Sequence, residues 1–273
     1  MKLICKQFFA ALTVLCLTSL QLSAQSRTVE IRTTAGVMKF VLYDDTPNHA
    51  QTFTRRAGQG LYDGTLFTRV IPQFMIQGGS PSSRNAAPGA RTGFGDPSAE
   101  IMPEFVAAHF NKKGVLAAPR QDVSQNPNKK SDMSQFFIVQ GKVYTSGQLD
   151  TLEMVANNKI RKRGMELFYQ PIKALMDSLI QVDKQAYNSK VVEINASIDS
   201  LILATPGHRY FTPEEREAYT TVGGSPHLDG EYTVYGEMTE GFDIIDAIAA
   251  EPRDQYDRPK RDVKIISIRV GQP

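Results

Sequence analysis

Between residues 28 and 43 apolar and polar side chains alternate. Val29 and Ile31 stand among polar neighbours, and Met38, Phe40 and Leu42 oppose Val37, Lys39 and Val41, with Ala35-Gly36 between the two runs. A period of two sends successive side chains to opposite faces, so the pattern predicts two strands and a turn. Thr46-Pro47 then reads as a helix start, with an N-cap hydroxyl and a proline in the first turn. Ala50, Phe53 and Ala57 form the apolar stripe of this helix, and Gly58 and Gly60 end it. Short β-type runs follow at 66–70, 74–77, 115–118, 136–139, 232–238 and 263–270, separated by glycine- and proline-rich turns. A second helix is predicted over 241–250, where Ile244, Ile245 and Ile248 share a face. Many short strands with two helices among them point to a mainly β barrel or sandwich, not to a parallel sheet.

The stretch from about 148 to 212 breaks this pattern. Glycine is nearly absent, and apolar residues recur at helical spacing: Phe168, Ile172, Leu175 and Leu179, then Val191, Ile194, Ile198 and Leu201. Pro171 predicts a fresh helix start and Tyr187-Asn188-Ser189 a break, while Thr212-Pro213-Glu214-Glu215 has the form of a capping box. A structureless loop of this length inside a compact domain is unusual. The segment is therefore predicted to be an α-helical insertion, a hairpin or three-helix arm, serving either as an added stabilising layer or as an arm for a protein partner or client.

Residues 1–24 form a basic start (Lys2, Lys6), an apolar stretch over 8–20 and the small-residue site Leu22-Ser23-Ala24. This predicts a cleavable signal peptide. The apolar stretch is shorter than the roughly 20 residues of a spanning helix. No membrane span is expected, and residues 25–273 are expected to be exported, periplasmic or secreted. Cys5 and Cys16 both fall in the leader, so the mature chain offers no thiol for a disulfide, thiolate catalysis or a cysteine zinc site.

Charge adds an exclusion. Lys plus Arg is 31 against 29 for Asp plus Glu, and Lys2 and Lys6 account for the excess. A balanced chain has no global footprint for nucleic acid or an anionic membrane. With 41% apolar and 22% charged residues, wholesale disorder is excluded as well. His49, His109, His208 and His227 show no metal-ligand spacing, so no metal is expected. Gly93-Phe94-Gly95 lacks the rest of a dinucleotide fingerprint. The run Lys159-Ile160-Arg161-Lys162-Arg163 reads as a solvated helix face. Asp45, Glu100, Glu104 and Asp229 read as turn or surface residues.

The most informative run is Phe67-Thr68-Arg69-Val70-Ile71-Pro72-Gln73-Phe74-Met75-Ile76-Gln77-Gly78-Gly79. It is followed by Gly114-Val115-Leu116-Ala117, Ser134-Gln135-Phe136-Phe137-Ile138, Leu228-Asp229-Gly230 and Val234-Tyr235-Gly236. In residues and order these motifs closely resemble the cyclophilin family of peptidyl-prolyl cis-trans isomerases, over about 28–147 and 214–270, with the helical segment unmatched. The resemblance implies a closed eight-stranded antiparallel barrel capped by two helices, with an outer groove that binds a proline of a polypeptide client. It implies no cofactor.

Rotation about an X-Pro bond has to break amide resonance, a barrier of about 18–20 kcal/mol, yet no bond to carbon forms. The reaction asks for a donor aimed at the imide nitrogen, an apolar pocket for the ring and a grip on the flanking backbone. By resemblance Arg69 is the donor and Gln77 orients it or holds the substrate backbone, with Gln135 assisting. Phe74, Met75, Phe137 and Leu228 form the ring pocket.

The chain departs from the family at four of the groove positions. His227 stands where many members have a tryptophan, Tyr232 where they have a histidine, Arg120 where they have an asparagine, and Pro119 where alanine is common. The missing tryptophan predicts weak binding of cyclosporin. Arg120, with the basic loop 121–131, predicts a preference for acidic residues beside the proline. The expected function is isomerisation of X-Pro bonds in exported polypeptides. The alternative is a non-catalytic proline-peptide-binding chaperone or an envelope assembly partner.

Overall fold

The computed structural model describes residues 27–271, and the expected signal peptide at 1–24 lies outside them. The first alternating run forms β1 (Thr28–Thr33) and β2 (Gly36–Leu42). They pair with Val29 opposite Phe40 and Ile31 opposite Met38, so the four side chains enter one core. Gly36 makes the turn at φ 144°, where an added Cβ would lie 2.4 Å from Cδ1 of Ile244.

Helix α1 (Pro47–Gly58) begins where predicted, but Thr46 makes no side-chain cap. Glu104 takes that role. Its Oε1 accepts the Asn48 N–H (3.1 Å) and its Oε2 the His49 N–H (2.9 Å). A carboxylate there meets the positive end of the helix dipole and satisfies donors that have no partner inside the helix. Glu104 is thus a cap, not the surface residue its position in the chain suggested.

The remaining strands are β3 (Phe67–Ile71), β4 (Met75–Gly78), β5 (Glu100–Ile101), β6 (Val115–Ala117), β7 (Ser131–Asp132), β8 (Phe136–Val139), β9 (Val234–Glu240) and β10 (Ile265–Val270). Eight of them form one antiparallel sheet in the order β10-β1-β2-β9-β6-β8-β4-β3, and β5 pairs with β7. The sheet curls around a core that contains Ile31, Phe40, Val70, Ile76, Leu116 and Ile138. Phe53 of α1 joins that core, as do Ile245 and Ile248 of α7 (Phe242–Ala249).

The expected closed barrel is corrected to a strongly curled sheet, since no ladder joins the edge strands β3 and β10. The edges meet at one end only, through a bridge between Leu66 and Lys264 and the bonds Phe67 N–H to Val263 O (2.9 Å) and Ile265 N–H to Thr65 O (2.8 Å). Farther along, the loop before β10 covers β3 in place of a strand. Val70 donates to Asp257 O (2.8 Å), and Arg253 Nη1 donates to Val70 O (3.2 Å). These bonds occupy an edge that would otherwise be free to pair with another chain.

The helical segment runs from Ser146 to Thr221, longer than 148–212 at both ends. It contains α2 (Ser146–Ala156), α3 (Asn158–Gly164), α4 (Lys173–Val182), α5 (Lys184–Ala204) and α6 (Pro213–Thr221). A π turn (Met165–Tyr169) and a 3-10 turn (Gln170–Ile172) link α3 to α4. The expected break at 187–189 is absent, and α5 starts earlier because the Asp183 carboxylate accepts the Ala186 N–H (2.9 Å). Met176, Ile194, Ile198 and Ile202 give the segment its own small core. The capping box at Thr212 and Glu215 forms as predicted. Among the described residues no helix is long and apolar enough to cross a membrane.

Two contacts fix this segment to the sheet. Lys142 and Gly224 exchange backbone hydrogen bonds (3.1 and 3.0 Å), and a Cβ on Gly141 would fall 2.3 Å from Gly224, so the strands of this clasp touch backbone to backbone. Asp229, read from the sequence as a turn or surface residue, is instead a half-hidden hub whose side chain is 7% exposed. Its Oδ1 accepts the Asn111 N–H (2.7 Å), and its Oδ2 accepts from Arg209 Nη2 and the Tyr219 hydroxyl (both 2.7 Å). Burial, with Asp229 next in importance, pushes the Tyr219 hydroxyl well above its ordinary value, so it donates at any physiological pH.

Candidate active site

Register builds the site. Arg69 pairs with Gln77 across β3 and β4, Gln77 pairs with Phe137 across β4 and β8, and Phe137 pairs with Ala117 across β8 and β6. Directly opposed residues share a face, so the four side chains form a row on the outside of the sheet. Their neighbours Val70, Ile76, Ile138 and Leu116 form the matching inner row, buried in the core. The inner row fixes the register, because a slip by one residue would turn Arg69 inward.

A second apolar cluster covers the outer row. Met75, Val115, Ala117, Phe137, Val139 and Leu228 are buried in it, with Phe74 and Tyr232 packed against them. At its mouth is a pocket of about 80 Å³ lined by Arg69, Phe74, Met75, Gln77, Pro119, Arg120, Phe137, Leu228 and Tyr232. That is far below the roughly 300–1,000 Å³ of a drug-sized ligand pocket, and suits one small ring. Phe137 meets Tyr232 edge-on, with 5.7 Å between ring centroids. Of the residues expected in the site, Gln135 and His227 lie outside this lining. His227 is exposed, its ring 5.3 Å from that of Phe74.

Gln135 acts from behind. Gln77 Nε2 donates to Gln135 Oε1 (3.0 Å), and Gln135 Nε2 donates to Asp132 Oδ2 (3.1 Å). Asp132 is itself held by the N–H and hydroxyl of Ser134 on its Oδ1 (2.9 and 2.6 Å). The chain of bonds sets the direction of the Gln77 amide. Arg69 has a looser partner, Asp257 Oδ2 at 3.8 Å from its Nε, and its side chain is 46% exposed. The guanidinium therefore keeps donors of its planar fork free at the pocket mouth.

Arg120 lies over the Tyr232 ring, and its donors are largely spent. Nε binds Glu231 O (2.9 Å), Nη2 binds Glu231 Oε2 (2.9 Å) and Nη1 binds Gln121 O (3.0 Å). Lys129 binds the other Glu231 oxygen (2.7 Å), and Lys130 lies 3.9 Å from Glu100. The basic side chains that suggested an acidic preference thus face carboxylates of the same chain.

One further constellation resembles catalytic machinery. Glu104 Oε2 meets His49 Nδ1 at 2.5 Å, and His49 Nε2 meets Ser131 Oγ at 2.9 Å. Both His49 and Ser131 are buried between α1 and β7, out of reach of any substrate carbonyl. Burial holds the His49 imidazole below its usual range, against the opposing pull of Glu104. This is a structural linkage. Among the described residues no group of three or more His, Cys, Asp or Glu is placed to hold a metal ion.

Sequence reasoning missed Asp132, Glu231 and Asp257. Asp132-Met133-Ser134 carries a local sign, an aspartate two residues before a serine whose N–H it accepts. The other two act across long separations and leave no local trace.

Residues 28–195 and 215–270 match the model of the cyclophilin type peptidyl-prolyl cis-trans isomerase family. The match takes in much of the helical segment that the motifs left out. A Staphylococcus aureus protein named as a peptidyl-prolyl cis-trans isomerase is 29% identical over 248 residues, covering 89% of this chain and 91% of that protein. A Streptococcus pyogenes protein named as a bifunctional phosphatase and peptidyl-prolyl cis-trans isomerase is 28% identical over 245 residues, and the match spans 38% of its length. The crystal structure of a cyclophilin type isomerase from Cryptosporidium parvum shares the fold, with a TM-score of 0.51 at 18% identity over 91% of this chain and 99% of that one.

Proposed function

The chain belongs to the cyclophilin-type peptidyl-prolyl cis-trans isomerase family, and we propose that it turns X-Pro bonds of exported polypeptides with Arg69 as the donor to the imide nitrogen. Isomerisation is the activity of the family, and uncatalysed it takes tens to hundreds of seconds, slow enough to limit folding. The observation that carries the assignment of roles is the cross-strand row Arg69, Gln77 and Phe137 beside a pocket sized for one ring.

The proline ring enters between Phe74, Met75, Phe137 and Leu228, with Tyr232 and Pro119 as side walls. Arg69 donates to the imide nitrogen as it becomes pyramidal, which favours the twisted state in which amide resonance is lost. Gln77, its amide aimed by Gln135, holds the flanking backbone. Donors positioned in advance need no reorganisation when the bond turns. His227 borders the groove beside Phe74.

Export rests on residues 1–24, with their basic start, apolar stretch and small-residue site. The helical segment supplies a surface for polypeptide clients. Met154, Val155, Leu175, Val182 and Val192 are large, apolar and exposed on it. Deleting 149–206 is expected to abolish suppression of client aggregation and to spare isomerisation of a short peptide.

The roles are tested by NMR exchange on an Ala-Pro peptide, comparing the chain with Arg69→Ala. A rate loss of about 10²–10³-fold is expected for removal of a preorganised electrostatic donor. An Arg69→Ala chain as fast as the parent would remove Arg69 from the mechanism.

A further inference from the structure

Next to the proline pocket, on the other side of Tyr232, lies a much larger cleft of about 620 Å³. One wall is the loop that carries Phe105, His109 and Phe110, and the other is the segment from Gly207 to Thr212 that returns from α5. Asp229 to Tyr232 make its floor, so Tyr232 lines both the small pocket and the large cleft. The second wall is built by the helical segment, and nothing in the proline pocket requires it.

The wall is held firmly. Asn157 clamps the backbone of Arg209 from both sides, accepting its N–H (2.9 Å) and donating to its carbonyl (2.8 Å). The Arg209 guanidinium reaches Asp229 (2.7 Å) and Glu215 (3.2 Å) and lies 4.2 Å from the Phe211 ring centroid. A cleft with walls fixed in this way exists before anything enters it, which lowers the ordering cost of binding.

Its charges are already matched. Asp229 and Glu215 both pair with Arg209, Glu231 pairs with Arg120 and Lys129, and the Asp45 carboxylate lies 2.6 Å from Nε2 of His109. A charged ligand group entering here would lose water and meet partners already engaged. Apolar surface, in contrast, stands open. Phe105 is 41% exposed and Tyr210 36%, one on each wall. Aromatic rings in that state gain by covering another apolar or aromatic side chain.

We infer that this cleft binds the continuation of the polypeptide whose proline sits in the small pocket, and selects for an aromatic or large aliphatic residue a few positions from the proline. The inference rests on the isomerase reading, since continuity through Tyr232 is what identifies the occupant as the same chain. The enzyme would then discriminate clients by a second residue, through a wall that belongs to its helical segment.

The test uses the full mature chain and two families of proline peptides. One is four residues long. The other is eleven residues long and carries a phenylalanine or a serine three to five positions from the proline, on the amino side in one series and on the carboxyl side in the other. The parent is expected to bind the phenylalanine peptide about tenfold more tightly than the serine peptide in one of the two series, the scale of one good aromatic contact. Phe105→Ser and Tyr210→Ser, on opposite walls, are each expected to erase that ratio and to leave the isomerisation rate of the four-residue peptide unchanged. Tyr210→Ser keeps the test open if Phe105→Ser does not fold. Equal binding of the phenylalanine and serine peptides by the parent, in both series, overturns the inference. So does a loss in the variants that is equal for short and long peptides. Absence of turnover of the short peptide by the parent would instead overturn the isomerase reading, and binding would still report the ratio.

Discussion

The guanidinium of Arg120 lies 4.6 Å from the centre of the Tyr232 ring, parallel in function to a lid on the wall between pocket and cleft. Glu231 holds it there through backbone and side chain, and the same carboxylate takes Lys129. One carboxylate thus serves two cations, and it offsets one of the two positive charges near the groove. Glu231→Gln is expected to uncover that charge and raise kcat/KM for peptides with glutamate next to proline, relative to lysine, by about two- to fivefold, the scale of an exposed ion pair. Profiling both chains on a peptide panel checks this. An unchanged glutamate-to-lysine ratio would show that Glu231 does not set the preference.

Asp229 accepts four hydrogen bonds from three side chains and one backbone amide, and its carboxylate is nearly buried. Asp229→Ala removes the acceptor and strands Arg209 and the Tyr219 hydroxyl. Loss of one partner of a largely buried ion pair costs about 3 kcal/mol, so the urea midpoint is expected to fall accordingly. A midpoint within error of the parent would refute the role of Asp229 as hub.

Acid is expected to destabilise the fold from near pH 6.5 downward. Folding lowers the His49 pKa below its ordinary 6.5 through burial, so beneath that value the unfolded chain binds the extra proton and stability declines. Glu104 is held below its ordinary 4.5 by the hydrogen bonds from His49 and Asn48, which outweigh its own desolvation, and adds to the loss as pH falls through the acidic range. Both groups act in the same direction. Urea midpoints between pH 7.5 and 4 should show the decline, and His49→Gln should flatten its upper part. A midpoint that rises on acidification would contradict the linkage.

Cyclosporin is expected to bind weakly, because His227 offers a small exposed ring beside Phe74 where the resemblance places a tryptophan. His227→Trp should tighten binding by about tenfold or more, in line with the added aromatic contact. Nanomolar affinity of the parent chain in a calorimetric titration would show that another residue does this work.

The outer row of the site was legible because its residues sit in unbroken motifs. Once 67–71, 75–78 and 136–139 are read as strands, alternation sets the faces within each, but the register that aligns Arg69, Gln77 and Phe137, and the bulge that turns Phe67 inward, come from the pairing. Long-range partners were not legible. Glu104 reaches α1 across 55 residues, and Asp257 reaches Arg69 across the whole helical segment. Nothing in the neighbourhood of either residue announces the pairing. The helix break was misplaced for a different reason. Tyr187-Asn188-Ser189 are only weak helix formers, and the preference of a few such residues yields to the tertiary packing of α5, whereas Asp183 offers a specific cap. The open seam was invisible too, since covering β3 by a loop or by a strand asks the same alternation of β3 itself.

The clasp at Lys142 and Gly224 brings the chain back to within one hydrogen-bonded pair of where it left. What lies between them hangs from this point and is tied back through Arg209 and Tyr219 to Asp229. The entropy of closing such a loop rises only with the logarithm of its length, about 0.6 kcal/mol for each doubling, so closure itself sets little limit on how much is hung there. The constraint lies in the two glycines whose bare backbones let the ends touch, not in what they carry. The fold thus has a graft point, where the length of what is inserted is free to differ without moving the two ends that join the sheet.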